Sequence, residues 1–171
     1  MSLKIRIYGD RVLRTKGKEV EKFGSGITPL IEQMVETMLV EGGVGLAAPQ
    51  VGVSKRIAVV NPEPKNSETL IAMINPHIVV TSSETTSVEE GCLSVPDIRG
   101  NVIRPTSIEV AYQDGEGREH RIEIDGIVAR IIQHEVDHLD GILFVDRLSL
   151  ATKALIRSRL RNLSHRSKRE T

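Results

Sequence analysis

The stretch GIVARIIQHEVDHL, residues 126–139, decides the fold. At roughly 100° per residue, Ile127, Ile131, His134 and His138 share one narrow stripe of a helix, and Val128, Ile132, Val136 and Leu139 share the opposite one. A helix apolar on two sides lies inside its domain, so both stripes are expected to be buried. Asp125 is a candidate N-cap and Gly141 the terminating glycine. Histidines four residues apart can both reach one ion, and an apolar interior offers them few other partners. A lone histidine there would more simply be a hydrogen-bonded core residue, but a pair flanking Glu135 favours a metal. Glu135 lies about 100° round from His134, beside the ion, which suits a general base better than a ligand.

The segments around this helix read as strands. Arg56 to Val60, Leu70 to Ile74, Ile78 to Thr81, Ser107 to Gln113 and Glu119 to Ile124 are short β-branched runs, and Asp114-Gly115-Glu116-Gly117 forms a turn between the last two. A first helix is expected over Ile27 to Glu41, with Thr28 as N-cap, Pro29 in its first turn and Gly42-Gly43 ending it. A last helix is expected over Leu150 to Leu163, with Leu155, Ile156, Leu160 and Leu163 turned inward. Lys65 to Glu68 and Ser82 to Thr86 read as polar loops, too short to divide domains. The predicted class is α+β: antiparallel strands packed around a central metal-binding helix, with N-terminal and C-terminal helices, in one domain over residues 1–171.

Composition narrows the setting. With 39% hydrophobic and 27% charged residues, only 2% aromatic and no Trp, the core must be built from Ile, Val and Leu. No apolar run is long enough to cross a bilayer, and the first residues lack a signal-peptide profile, so a reducing cytoplasm is expected, with neither membrane nor DNA as partner. The formal net charge is zero, but the region from about 149 onward is basic, with Arg157, Arg159, Arg161, Arg166, Lys168 and Arg169. Such a tail is either a solvated face or a contact for RNA phosphates.

Cys92 is the only cysteine, so it forms no internal disulfide. Taken alone it reads as a small buried hydrophobe. Beside the histidine pair it becomes the favoured third ligand, ahead of the acids and of His77, His120 and His165, because a thiolate binds borderline ions strongly. Cysteine plus two histidines leaves a fourth position open, the pattern of a catalytic site. The segment Gly43-Val44-Gly45-Leu46-Ala47-Ala48-Pro49-Gln50 lacks the ending of a phosphate loop. Its glycines allow close backbone approach to a ligand, and Gln50 carries an NH₂ able to donate to a developing oxyanion, where the plainer reading is a surface amide.

With these segments in place, the chain resembles the peptide deformylase family. That family carries Gly-x-Gly-x-Ala-Ala-Pro-Gln, Glu-Gly-Cys-Leu-Ser and Gln-His-Glu-x-x-His in this order, matched here by residues 43–50, 90–94 and 133–138. The similarity runs from Gly9 to Ser149, with Gly9 standing where many members have Pro and Leu39 where many have Tyr. The resemblance implies Cys92, His134 and His138 as ligands of one divalent metal, ferrous iron in cells, replaceable by zinc, nickel or cobalt. It implies Glu135 as general base, the Gln50 side chain and Leu93 N–H as oxyanion donors, and hydrolysis of N-formylmethionyl nascent peptides to formate and a free amine by metal-activated hydroxide. In that frame Val44, Gly45, Ile127 and Ile131 line a pocket for the methionine side chain. Arg130 would wall the same pocket and meet peptide backbone or carboxylate. A zinc peptidase, or a ribosome-binding module that kept the fold, are the alternatives.

Overall fold

The computed structural model describes residues 2–170. Its elements in chain order are α1 (Thr28–Val40), β1 (Gly45–Ala47), β2 (Ile57–Val60), β3 (Ile71–Thr81), β4 (Thr85–Cys92), β5 (Val95–Pro105), β6 (Ser107–Gln113), β7 (Glu119–Asp125), α2 (Gly126–Leu139) and α3 (Leu150–Glu170). Five strands form one antiparallel sheet in the order β1-β2-β3-β6-β7, which leaves β1 and β7 as edges. β4 and β5 pair only with each other, as a separate antiparallel hairpin. The architecture is the α+β one predicted from sequence, with a central helix and helices towards both ends.

Apolar residues from α2 and the sheet fill one core region. Ile132, Val136 and Ala129 pack with Val60, Met73, Ile108 and Val110. A second region joins α1 to β1 and β2 through Met34, Met38, Leu46 and Ile57. Where α2 ends, Ala47, Ala58 and Leu139 meet, and the small side chains of β1 and β2 let the last turn of the helix come close. Phe144, one of two phenylalanines, is buried with Leu13, Ile98, Val102 and Ile156 beneath α3.

The α2 helix continues directly from β7. Gly126 makes the join at φ 61°, and Asp125 occupies the N-cap position without a side-chain hydrogen bond. At the other end Gly141, at φ 75°, returns its N–H to the His138 carbonyl. Buried Arg56 donates to the Leu139 carbonyl at 3.3 Å and to Asp140 at 2.7 Å, so a cation meets the negative end of the helix dipole.

Several expectations are corrected. Thr28 is the first helical residue of α1, preceded by Ile27, and its hydroxyl donates to the Gly24 carbonyl. Ile127 is 62% exposed and Val128 half-buried, because the first turn of α2 projects beyond the body. Leu155 is 80% exposed; it adjoins the inward stripe of Ile156, Leu160 and Leu163 only in sequence, being 100° out of phase with Ile156. β3 runs unbroken through Asn75-Pro76, where two separate strands were expected. Asn75, at φ 52°, forms a bulge there and is tied by its side chain to the N–H and carbonyl of Val20.

Candidate metal centre

His134 and His138 lie on adjacent turns of α2, and Cys92 ends β4 where a register shift turns the hairpin. Their potential ligand atoms all lie within 4.8 Å of one another. Cys92 Sγ is 3.2 Å from His138 Nε2, and the imidazoles meet edge to face with centroids 5.0 Å apart. His134 Nδ1 is 3.0 Å from Glu90 Oε2, which fixes the tautomer and leaves Nε2 for the centre. Phe144 stacks on His134 at 6.2 Å, so the ring is held at its edge and on its face. The donor set, one thiol and two imidazoles drawn together with one ring already oriented from behind, fits a divalent transition ion with an open fourth position.

Glu90 is buried and accepts from four side-chain nitrogens. Arg104 donates through Nε at 2.6 Å and Nη2 at 3.0 Å, Arg130 through Nη1 at 2.8 Å, and His134 through Nδ1. Burial raises the Glu90 pKa, but the His134 hydrogen bond and the Arg104 guanidinium outweigh it and bring it to about 2. Arg104 also reaches Asp137, which takes both arms of Arg147. His134 lies above its usual range, because hydrogen bonds to Cys92 and Glu90 overcome its desolvation. His138 lies below, desolvated and facing His134, and its Nδ1 has no protein partner.

Glu135 is 4% exposed, and burial lifts its carboxyl to about 7. Its Oε2 is buried without a partner. It lies against β1 at Gly45, where a Cβ would stand 2.4 Å from Oε1, so only glycine gives the carboxyl this place. A carboxyl poised near neutrality with a free oxygen can take up and return a proton.

Gln50 is no surface amide. It is 2% exposed, and its Oε1 accepts the Ala47 N–H at 2.8 Å, which orients Nε2 towards Cys92 Sγ at 3.4 Å and Ser94 Oγ at 3.2 Å. The amide is therefore aimed at the thiol. Leu93 comes next in the turn after Cys92, with its side chain against Gly43. Val44 is exposed at the entry to β1, and Ile131 reaches Gly45 with its Cγ2.

Arg130 is placed differently from expectation. It is buried, and its guanidinium faces Glu90, Thr86 and the Val102 carbonyl, so it is spent inside the protein and offers no head group to a peptide. Sequence reasoning also passed over Glu90, Ser94, Arg104 and Asp137. An acid two residues before Cys92 was a usable signal for Glu90. Arg104 had none, because its partners lie 14 and 33 residues away.

A half-buried Cys-His-His centre with a near-neutral carboxyl and a fixed amide beside it defines a metal-dependent hydrolase site. The family model of polypeptide deformylases matches residues 2–154. A peptide deformylase of Chlorobium phaeobacteroides is 46% identical over 167 residues, covering 96% of this chain and 90% of the relative. A solved Plasmodium falciparum peptide deformylase superimposes with a TM-score of 0.93 at 39% identity, over 96% of this chain and 97% of that one. A Synechococcus elongatus peptide deformylase, solved in complex with actinonin, gives 0.87 at 41% identity over 92% and 87%. The chain belongs to the peptide deformylase family.

Proposed function

We propose that this chain hydrolyses the formyl amide at the amino terminus of N-formylmethionyl nascent peptides, giving formate and a free amine. The observation that carries the reading is the convergence of a thiol, two imidazoles, an unpartnered buried carboxyl and a fixed amide NH₂ on one centre. Cys92, His134 and His138 would hold one divalent ion, ferrous iron by family resemblance, with zinc, nickel or cobalt able to fill the same donors. When bound, the ion supplies a Lewis acid that eases deprotonation of water and polarises the formyl carbonyl.

The remaining work falls to side chains. Glu135 takes the proton of the attacking water and returns it to the leaving nitrogen; a pKa of about 7 suits both halves of that task. Gln50 Nε2, held by Ala47, and the Leu93 N–H donate to the oxygen as negative charge develops on it. β1 is an edge strand lying against Glu135, so an extended peptide adding to that edge is held beside the reacting group. Val44, Ile127 and Ile131 offer apolar contact to the methionine side chain, and the bareness of Gly45 keeps space beside Glu135.

Formate release from a formyl-Met tripeptide, measured beside the acetylated analogue, tests this. Turnover of the formyl substrate alone is expected. No formate from protein carrying ferrous iron would remove the reading, and cleavage of internal amides would favour a zinc peptidase.

The partner on the ribosomal side would be RNA. A groove of about 740 Å³ along α3 is lined by Lys153, Arg157, Arg161, His165 and Lys168, which suits phosphate contacts near the site of protein synthesis and hence the cytoplasm. Among the described residues no helix is long and apolar enough to cross a membrane. Co-sedimentation with ribosomes that weakens steeply with salt is expected, and binding insensitive to salt would exclude this use of the groove.

A further inference from the structure

The candidate ligands are divided between two pieces of chain. Cys92 stands on the β4–β5 hairpin together with Glu90, and both histidines stand on α2. The hairpin pairs with no strand of the five-stranded sheet. One end of the hairpin continues into β3 and β6 through residues 82–84 and Thr106, but Cys92 lies at the other end, where the Ser94 carbonyl accepts the Tyr8 N–H and no strand ladder reaches, so side chains help to set its distance from the helix.

Two buried arginines span the gap in opposite senses. Arg104 leaves β5, grips Glu90, and continues to Asp137 on α2. Arg130 leaves α2 one turn before His134 and reaches back. Its Nη1 donates to Glu90 Oε1 at 2.8 Å and to the Val102 carbonyl at 3.0 Å; its Nη2 donates to the carbonyl and hydroxyl of Thr86 at 2.8 Å and 3.1 Å. The four bonds land on both strands of the hairpin. Gln133, from the same helix, adds a bond to the Pro105 carbonyl farther along β5.

We infer that Arg130 is a positioning residue for the metal centre: by gripping Glu90 and both hairpin strands from α2, it holds the Cys92 thiol within ligating range of the histidine pair. The inference rests on the metal-dependent reading above. A guanidinium suits the task because its planar fork serves several acceptors at once in a fixed geometry, which a lysine ammonium cannot do. Losing the grip frees the hairpin to shift against α2, and a shift there acts on the ligands, since Cys92 moves with the hairpin and the imidazoles do not.

Cobalt(II)-loaded protein, followed by its thiolate-to-cobalt absorption while a chelator in excess removes the ion, reads this directly. Arg130→Met is expected to release cobalt about tenfold faster than the unchanged protein, the scale on which groups behind a ligand act. kcat should fall while KM for a formyl-Met tripeptide stays within about twofold, because Arg130 does not face the substrate. Arg130→Lys should restore part of the retention. Cobalt release unchanged in Arg130→Met, with only a lower melting temperature of the metal-free protein, would overturn the inference. So would a change confined to KM, which would make Arg130 a wall of the substrate site. If Arg130→Met does not fold, Arg130→Lys, which keeps the charge and loses the fork, takes its place, and cobalt release unaltered there overturns the inference equally. Absence of the thiolate absorption in the unchanged protein is a different failure, since it removes Cys92 from the ligands and takes the inference with it.

Discussion

Replacing Gly45 with alanine separates the placement of Glu135 from the other properties of the site. Gly45 lies in extended β1, where any residue adopts the backbone, so the change acts through its added methyl alone. That Cβ would stand 2.4 Å from Glu135 Oε1, 2.9 Å from Glu135 Cδ and 2.9 Å from Ile131 Cγ2. Ordinary contact would need the carboxyl to retreat by about 1 Å, and a misplacement of that size costs on the order of a hundredfold in rate. In barrier terms this is about 2.7 kcal/mol. Overpacking costs stability as well, about 1–3 kcal/mol, so the melting temperature and bound metal must be measured beside kcat/KM for formate release. The expected variant is folded, carries a full complement of metal, and is slow. A fully loaded Gly45→Ala with kcat/KM within about threefold of the unchanged protein would refute the argument that Glu135 works from this position.

Glu135→Ala should keep its metal and lose at least about a hundredfold in turnover, the scale of a general base; near-normal turnover would leave the proposed proton transfer without a carrier. Cys92→Ser should lose metal on dialysis against a chelator, and full occupancy afterwards would strike the thiol from the ligand set. The Arg14–Asp146 pair gives a pH test away from the site. Burial pushes the Asp146 carboxyl up, but hydrogen bonds from Arg14 and the Leu143 N–H outweigh it and leave the folded pKa below 3.8. A depressed folded pKa means that the pair stabilises above the unfolded value and that this is lost as pH falls through the folded one. Both side chains are about 40% exposed, so solvent screening limits the gain to roughly 1 kcal/mol or less. Chemical unfolding of Asp146→Asn should therefore show a small deficit at pH 6 that shrinks below about pH 4. A deficit independent of pH would refute the electrostatic origin.

What was legible in the sequence was local. The histidine pair, Glu135 and the helix that carries them come from a period of 3.6 residues within fourteen positions, and the Cys92 and Gln50 segments sit in short stretches with strong chemistry. The hairpin was not legible. β4 opens on exposed Thr85 and Thr86, which end the stretch read as a polar loop, and in β5 the buried positions Val95, Ile98, Val102 and Arg104 depart from strict two-residue alternation. Arg130 was read from its helical stripe, which places it near the histidines correctly. Its partners, 28 to 44 residues away on the β4–β5 hairpin, decide which way its head group points. Gln50 is read from sequence as an oxyanion donor, but its burial is not legible there, because the Ser94 hydroxyl beside its Nε2 is 44 residues distant.

The shortness of β1 bears on which chains could be substrates. An edge of three residues, Gly45 to Ala47, pairs with only a few peptide units of an added strand, and those units present the same N–H and C=O whatever their side chains are. Recognition built on such an edge is nearly blind to side chains beyond the first residue. A catalyst of this kind need not know which protein it is trimming, and can serve the varied output of translation with one rule applied at its first position.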